Sequence, residues 1–177
     1  EHAFQKLLFA EDTARGFAFI ELCRKHYDVI VMNPPFGAAA ENSKDYVDNN
    51  YISSKADIAA CFIDRMLQIK TASGDMGVLS TRTIYFINTF EKWRKSIAIN
   101  YNFIFADFGL GVLDAQVEAS AVLYKNFSNH ESMFYRVYSE EKERVFLNEL
   151  NNQTSNTFYF NLNKSKEIPN TPFCYWL

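Results

Sequence analysis

The stretch "YDVIVMNPPFG" runs from Tyr27 to Gly37, and the fold turns on how it is read. Tyr27 to Met32 is almost wholly apolar, with Val29, Ile30 and Val31 β-branched in succession. That is the composition of a short strand buried on both faces of a parallel sheet. The strand runs straight into Asn33-Pro34-Pro35-Phe36. The two rings fix φ and restrict Asn33 and Pro34 toward extended conformations, and Pro35, lacking an N–H, keeps the loop from folding back into a helix. The Asn33 side-chain oxygen and the Pro34 carbonyl are thereby held in fixed directions, and Phe36 offers a flat apolar face. In open α/β sheets ligands sit at the carboxyl ends of strands, which is where this loop falls.

Outward from that strand the chain alternates. Residues 3–25 have helical spacing (Phe4, Leu7, Leu8, Ala14, Phe17, Ala18, Leu22), with Glu11-Asp12-Thr13 a candidate break between two helices. Gly37 to Ser54 is polar and reads as a long loop, of the kind that carries function beside a strand end. Lys55 to Lys70 is a helix with Ile58, Phe62, Met66 and Ile69 in one stripe, Ile63 and Leu67 beside it, and Ser54 or Asp57 as its cap. Gly74 to Gly77 reads as a turn, Val78 to Phe86 as a strand, and Thr89 to Ile99 as a helix presenting Phe90, Trp93 and Ile97. Asn102 to Asp107 is a third strand. After a turn at Gly109 and Gly111 comes Val117 to Tyr124, a strand by composition whose alanines leave helix open. Met133 to Tyr138 and Phe158 to Leu162 are further strand candidates around a charged helix, Glu140 to Leu150, whose "EEKER" is a solvated face. The last residues, "IPNTPFCYWL", read as a connector. This alternation predicts an α/β fold with a largely parallel sheet, its third and fourth strands forming an antiparallel pair on one edge. No internal repeat is present.

Composition bounds the function. The chain has 177 residues, 48% hydrophobic and 22% charged, enough for one domain with a buried core. A formal charge of −3 gives no basic footprint, so any phosphate-neutralising surface must be local or lie elsewhere. Cys23, Cys61 and Cys174 are odd in number and unpaired in spacing, and His2, His26 and His130 are scattered. This argues for a reducing compartment, the cytoplasm, and against disulfides or a metal site. No apolar run reaches membrane-spanning length, so no membrane is expected. The glycosylation sequons at Asn126, Asn152 and Asn163 are what chance gives an Asn-rich chain. The first residue is Glu, so a fragment or processed chain is expected.

Two aimed acceptors beside a flat ring suit a planar group that bears an amine. The exocyclic nitrogen of adenine is a poor nucleophile because its lone pair is delocalised into the ring. Two acceptors on its hydrogens favour the tetrahedral geometry that frees the pair, which is electrostatic preorganisation combined with positioning. An aromatic stacked on the base adds roughly 1–3 kcal/mol, and in a duplex the base must first be flipped out. The plain alternative is a Pro-Pro turn with Phe36 in the core.

At these residues the chain resembles a family. "NPPF" resembles the catalytic loop of S-adenosylmethionine-dependent amino-methyltransferases, in particular DNA adenine-N6 methyltransferases. "FAEDTARGFAFIELCRKHYDVIVMNPPFG" (Phe9 to Gly37) resembles the approach to that loop in PglX-like enzymes of BREX phage defence and in type IIG restriction–modification methyltransferases. "SKADIAACFIDRMLQI" (Ser54 to Ile69), "GDMGVLSTRTIYFINTFEKWRKSI" (Gly74 to Ile97) and "FIFADFGLGVLDAQVEASAVLYKN" (Phe103 to Asn126) resemble the motifs that follow. "IPNTPFCYWL" resembles the entry to a target-recognition region. The resemblance implies a Rossmann-like, seven-stranded methyltransferase sheet, of which this chain holds the second half, strands 4 to 7, with flanking helices. Residues 1–127 would be that half-domain, and residues 128–177 an extra strand and helix with a connector toward the recognition region. It further implies that Asn33 and the Pro34 carbonyl hold the target amine, with Pro35 completing the catalytic loop, Phe36 stacking on the base and Asn33 also near the methyl donor. Transfer would be a direct in-line attack, without a covalent enzyme intermediate or a metal. S-adenosylmethionine is the implied cofactor. The implied partners are DNA, an N-terminal half, a C-terminal recognition region and other phage-defence proteins.

One departure is serious. The family holds its cofactor on a Gly-rich loop and an acidic residue that precede the catalytic loop, and nothing before Tyr27 fits. Asp107-Phe108-Gly109-Leu110-Gly111 is the sole Gly-x-Gly. It would be the cofactor loop of a circularly permuted enzyme, but Asp114 stands where the third glycine belongs, and a plain turn is favoured. Asp57 is a candidate cofactor contact, or only a cap. Gly37, Lys55, Arg82 and Tyr85 are candidate substrate contacts beside Phe36. Glu118 reads as a solvent residue of an edge strand, and Trp93 and Trp176 as packing anchors. Rival functions are methylation of a protein glutamine or an rRNA base, and a non-catalytic binding remnant. A half-sheet would also leave the strand at Tyr27 to Met32 with a free flank prone to self-association.

Overall fold

The computed structural model describes residues 2–113, 116–126 and 131–176. The elements in chain order are α1 (His2–Arg24), β1 (Tyr27–Met32), α2 (Glu41–Asn50), α3 (Ile58–Ile69), β2 (Lys70–Thr81), α4 (Glu91–Asn100), β3 (Tyr101–Gly109), β4 (Ala119–Asn126), β5 (Glu131–Arg136), α5 (Lys142–Asn152) and β6 (Thr157–Asn161). The strands form one sheet in the order β1-β2-β4-β3-β5-β6. β1 pairs parallel with β2, and β3 with β5, whereas β4 runs antiparallel between β2 and β3 and β6 is antiparallel on β5. The sheet is therefore mixed rather than largely parallel. The β3–β4 pair lies in its middle rather than on an edge, because β5 and β6 extend the sheet beyond β3.

Alternation along the strands separates two faces. One carries Ile30, Met76, Val78, Phe103, Phe105, Val122, Tyr124 and Phe134, all buried against Ile63 of α3 and Trp93 and Ile97 of α4. The other carries Ala106 and Tyr135 under Phe146 of α5 at the β3–β5 end. Toward β1 that second face is bare: Val29 is 70% exposed and Val31 81%. The expected strand buried on both faces is thus buried on one only, since no described element packs over its outer face. An open apolar trough of about 500 Å³ follows, lined by Val31, Leu79, Leu123, Ile104 and Phe146 among others.

Other differences have local causes. α1 is one helix with no break at Glu11-Asp12-Thr13. The predicted loop 37–54 contains α2, whose only buried residue is Val47. Its turns are held by a Lys44–Asp48 ion pair and by Asn49 and Asn50 amides on carbonyls four residues back. α3 starts three residues later than expected, with Asp57 as its cap, and buries Ala59, Ala60 and Ile63, while Phe62 is 39% exposed. The turn predicted at Gly74 to Gly77 lies inside β2: Asp75 to Gly77 pair regularly with Val29 to Val31, and the irregularity falls just before them, since Tyr27 pairs with Lys70 but Val29 with Asp75. Gly74 is needed there, because a Cβ would sit 2.7 Å from the Asp28 carbonyl oxygen. The Lys70 ammonium closes the irregularity by donating to the Thr71 and Gly74 carbonyls. Beyond Thr81 the predicted strand becomes a 3-10 helix, Arg82–Tyr85.

The segment read as a connector packs into the core: Phe173 and Tyr175 are buried. It is held by Arg94, itself fully buried. Arg94 donates to the carbonyls of Thr171 (2.9 Å), Asn170 (2.6 Å), Ile84 (3.0 Å) and Ile87 (2.7 Å). Burial pulls its pKa down to about 10, so it stays charged at neutral pH. Asn170 (φ 67°) and Thr171 (φ 52°) are consecutive left-handed residues. Such a turn costs roughly 1–3 kcal/mol per residue and persists where surrounding bonds over-determine it. Arg94→Leu should therefore lower the unfolding free energy by roughly 2–5 kcal/mol, since each buried carbonyl left unsatisfied costs about 1–3 kcal/mol. Arg94→Lys should recover only part, because an ammonium cannot span four acceptors. Urea denaturation checks this, and a loss below about 1 kcal/mol for Arg94→Leu would refute the clamp.

Candidate active site

β1, β2, β3 and β5 all point their carboxyl ends to one edge, and the Asn33–Gly37 loop opens from it. Pro34 is buried and anchors the loop, while Asn33 and Pro35 are exposed and Phe36 is 37% exposed. The Asn33 side chain makes no hydrogen bond among the described residues, so its amide faces outward with its acceptor unengaged. Gly37 adopts φ 106°, and its carbonyl accepts from the Ile58 N–H at 2.8 Å. That bond ties the end of the loop to the first turn of α3.

The approach to α3 is itself clamped. Ser54 is buried and donates to Asp64, which also accepts from Trp93 Nε1 at 2.7 Å. Burial raises the Asp64 pKa above the ordinary carboxylate value, against the opposing effect of those two donors. Cys61 beside it points its thiol at the Ser54 carbonyl, and burial pushes that thiol up to about 11. Asp57 accepts from Ala59 N at 2.9 Å as the cap of α3. Lys55 lies on the surface, paired with Asp48 at 3.3 Å.

The two candidates after β2 lie elsewhere. Tyr85 is fully buried, its hydroxyl 2.6 Å from that of Tyr124, and burial raises its pKa steeply. It cannot touch a substrate. The alternating strand that would have turned it to solvent ends at Thr81. Arg82 remains at the carboxyl edge but is engaged by Asp107 at 2.8 Å and by Glu118 at 3.3 Å. Glu118 precedes β4, which is a central strand and not an edge. Asp107, near the end of β3, reads in the sequence only as the start of the Gly-x-Gly stretch and not as a site residue in its own right. It is fully buried and accepts from Arg82, from Tyr138 (2.8 Å) and from Tyr175 (2.9 Å). Its signal was present, a carboxylate closing an apolar strand ahead of Gly-x-Gly. Gly109 (φ 60°) and Gly111 (φ 84°) turn the chain from β3 into antiparallel β4. The next described element is a strand, so this Gly-x-Gly lacks the helix N-terminus on which such loops seat phosphates.

Comparison with known proteins accords with this geometry. A family described as Eco57I restriction-modification methylase matches residues 2–109. The chain belongs to this family. A type I restriction-modification methyltransferase subunit from Streptococcus thermophilus superposes with a TM-score of 0.63 at 13% identity, over 81% of this chain and 36% of that one. A Listeria monocytogenes protein described as a class I S-adenosylmethionine-dependent methyltransferase gives 0.57 at 15%, over 72% and 43%. The type ISP restriction-modification enzyme LlaBIII, solved bound to DNA, gives 0.60 at 14%, over 74% and 12%. The sheet is thus of the class I methyltransferase type, and the chain spans about a third of the type I subunit it matches. No curated protein matches the chain.

The loop's conformation makes a prediction. A Cβ on Gly37 would meet no atom within 4 Å, so any cost is conformational. Gly37→Ala should destabilise by about 1–3 kcal/mol and raise the exchange rate of the Ile58 amide. Thermal unfolding and hydrogen exchange check both; an unchanged Ile58 amide would show that the loop does not need this φ.

Proposed function

We propose that the intact protein is a DNA adenine-N6 methyltransferase that uses S-adenosylmethionine, and that this chain supplies the part that holds the target amine. The observation that supports it is the loop at the end of β1. An unengaged Asn33 amide is held between a strand and the buried Pro34, with the partly exposed Phe36 beside it, in a chain of the restriction-modification methylase family. In this reading Asn33 Oδ1 and the Pro34 carbonyl accept the two amine hydrogens and free the nitrogen lone pair. Phe36 stacks on the flipped base, and Pro35 keeps the loop extended. Gly37 contributes through its backbone, and Lys55 lies on the surrounding surface as a candidate DNA contact; Arg82, largely covered and held by Asp107 and Glu118, would contribute only through its exposed part.

The cofactor supplies an electrophilic methyl group. The residues present do not by themselves form its pocket: α1 precedes β1 without a Gly-rich turn, and the Asp57 carboxylate already caps α3. The reading therefore includes a donor-binding half that pairs along the free edge of β1 and covers Val29 and Val31. Residues 1–127 would complete the catalytic domain with that half, and residues 128–177 would lead toward a target-recognition region. Restriction–modification or BREX phage defence, and partner proteins of either system, are the settings it fits. No helix among the described residues is long and apolar enough to cross a membrane; the cytoplasm is the proposed location.

In the complete protein, Asn33→Ala should cut methyl incorporation into DNA by about 10²–10³-fold while DNA affinity changes little. Tritium transfer into DNA, with rRNA and release factor as alternative acceptors, measures this. Full activity of the variant, or incorporation into rRNA or protein in place of DNA, would overturn the reading.

A further inference from the structure

A second feature of the carboxyl edge is unaccounted for by the loop. Arg136 ends β5, with its Cα level with Asp107 of β3. Its guanidinium lies among four rings: Phe158 at 5.0 Å, Tyr175 at 5.6 Å, Tyr138 at 5.9 Å and Trp176 at 6.0 Å. Its Nε is buried without a hydrogen-bond partner, and it makes no ion pair among the described residues. Arg82, by contrast, has two carboxylates. The Asp107 carboxylate is met by Arg82 and two phenols; one of these, Tyr175, also meets Arg136, which reaches the carboxylate only through that hydroxyl.

Two of the rings are largely open to solvent. Tyr138 is 51% exposed and Trp176 41%. Both are held rigid. The Tyr138 hydroxyl donates to Asp107, and Trp176 stacks on Phe86 at 5.6 Å with planes 20° apart. Phe86 in turn carries the Arg82 guanidinium at 4.7 Å. The Arg94 clamp on Asn170 and Thr171 delivers Trp176 to this place. Fixed aromatic faces backed by guanidinium groups are what unpaired nucleic-acid strands bind, by stacking and by phosphate contact.

We propose that Arg136, Tyr138 and Trp176 form a docking platform for the DNA strand that carries the target base. The two exposed rings take its bases or sugars, and Arg136 takes a phosphate. The platform shares the sheet edge with the Asn33 loop, and it supplies locally the cation that a chain of formal charge −3 lacks overall. It rests on the reading that the protein acts on a base in DNA.

The test uses tryptophan emission. The chain has two tryptophans, and Trp93 is buried. A short single-stranded DNA oligonucleotide should quench Trp176 saturably, and the quench should vanish in Trp176→Phe. Arg136→Gln should weaken binding by about tenfold or more, while Arg144→Gln, the same charge change on the outer face of α5, should leave it unaltered. If Arg136→Gln does not fold by near-ultraviolet circular dichroism, Tyr138→Leu takes its place with the same expectation. No quench in the folded chain, or equal weakening by the Arg136 and Arg144 substitutions, overturns the platform. Asn33→Ala should leave the quench intact. Failure of methyl transfer to depend on Asn33 would thus break the catalytic reading alone, and loss of the quench would break the platform alone.

Discussion

Everything at the functional edge depends on the parallel pairing of β1 with β2. Ile30 opposite Met76 and Met32 opposite Val78 put the side chains of β1 into the core formed with α3 and α4. A slip by one residue would send Ile30 and Met32 to the bare face and bury Val29 and Val31 instead. It would also move Asn33 along the edge and turn it over. The register is guarded at its start by the irregularity at Gly74, where only a glycine fits against Asp28, and at its end by buried Pro34 and the Gly37–Ile58 bond. The loop is thus positioned by backbone contacts on both sides, which leaves the Asn33 amide free for a ligand.

The rest of the edge is organised by two buried polar hubs of opposite kind. Asp107 gathers a guanidinium and two phenols, and Arg94 gathers four carbonyls. A buried charge is tolerable only when such partners replace water. Each hub therefore fixes several chain segments at once: the 3-10 helix after β2, the end of β3, the residues after β5 and the tail. Rigid placement of Arg82, Tyr138 and Trp176 follows from this pair.

Much of this was legible from the chain. β1 and its loop, α3, α4, β3, β4, β5, α5 and β6 each carry apolar periodicity or glycine punctuation, and each forms close to its expected span, though the β3–β4 pair lies within the sheet and not on its edge. What escaped had no such signal. α2 buries one side chain, so its polar surface shows no period. Gly74 marks a real irregularity, but sequence cannot say that it lies within a strand. Phe173 and Tyr175 are spaced by prolines and polar residues, and their burial depends on Arg94, 77 residues from Thr171 in the chain. Tyr85 was misplaced because the strand before it ends sooner than its composition suggests. The bareness of the outer face of β1 is a property of what packs there, which no local pattern encodes.

That bare face and free edge underlie the proposal that the chain holds the target amine and that the methyl donor is held by a half that completes the sheet. Isothermal titration of S-adenosylmethionine into the folded chain tests it most directly. No heat beyond that of dilution is expected at micromolar ligand, and the signal should return when the completing half is present. Micromolar affinity for the chain alone would contradict it.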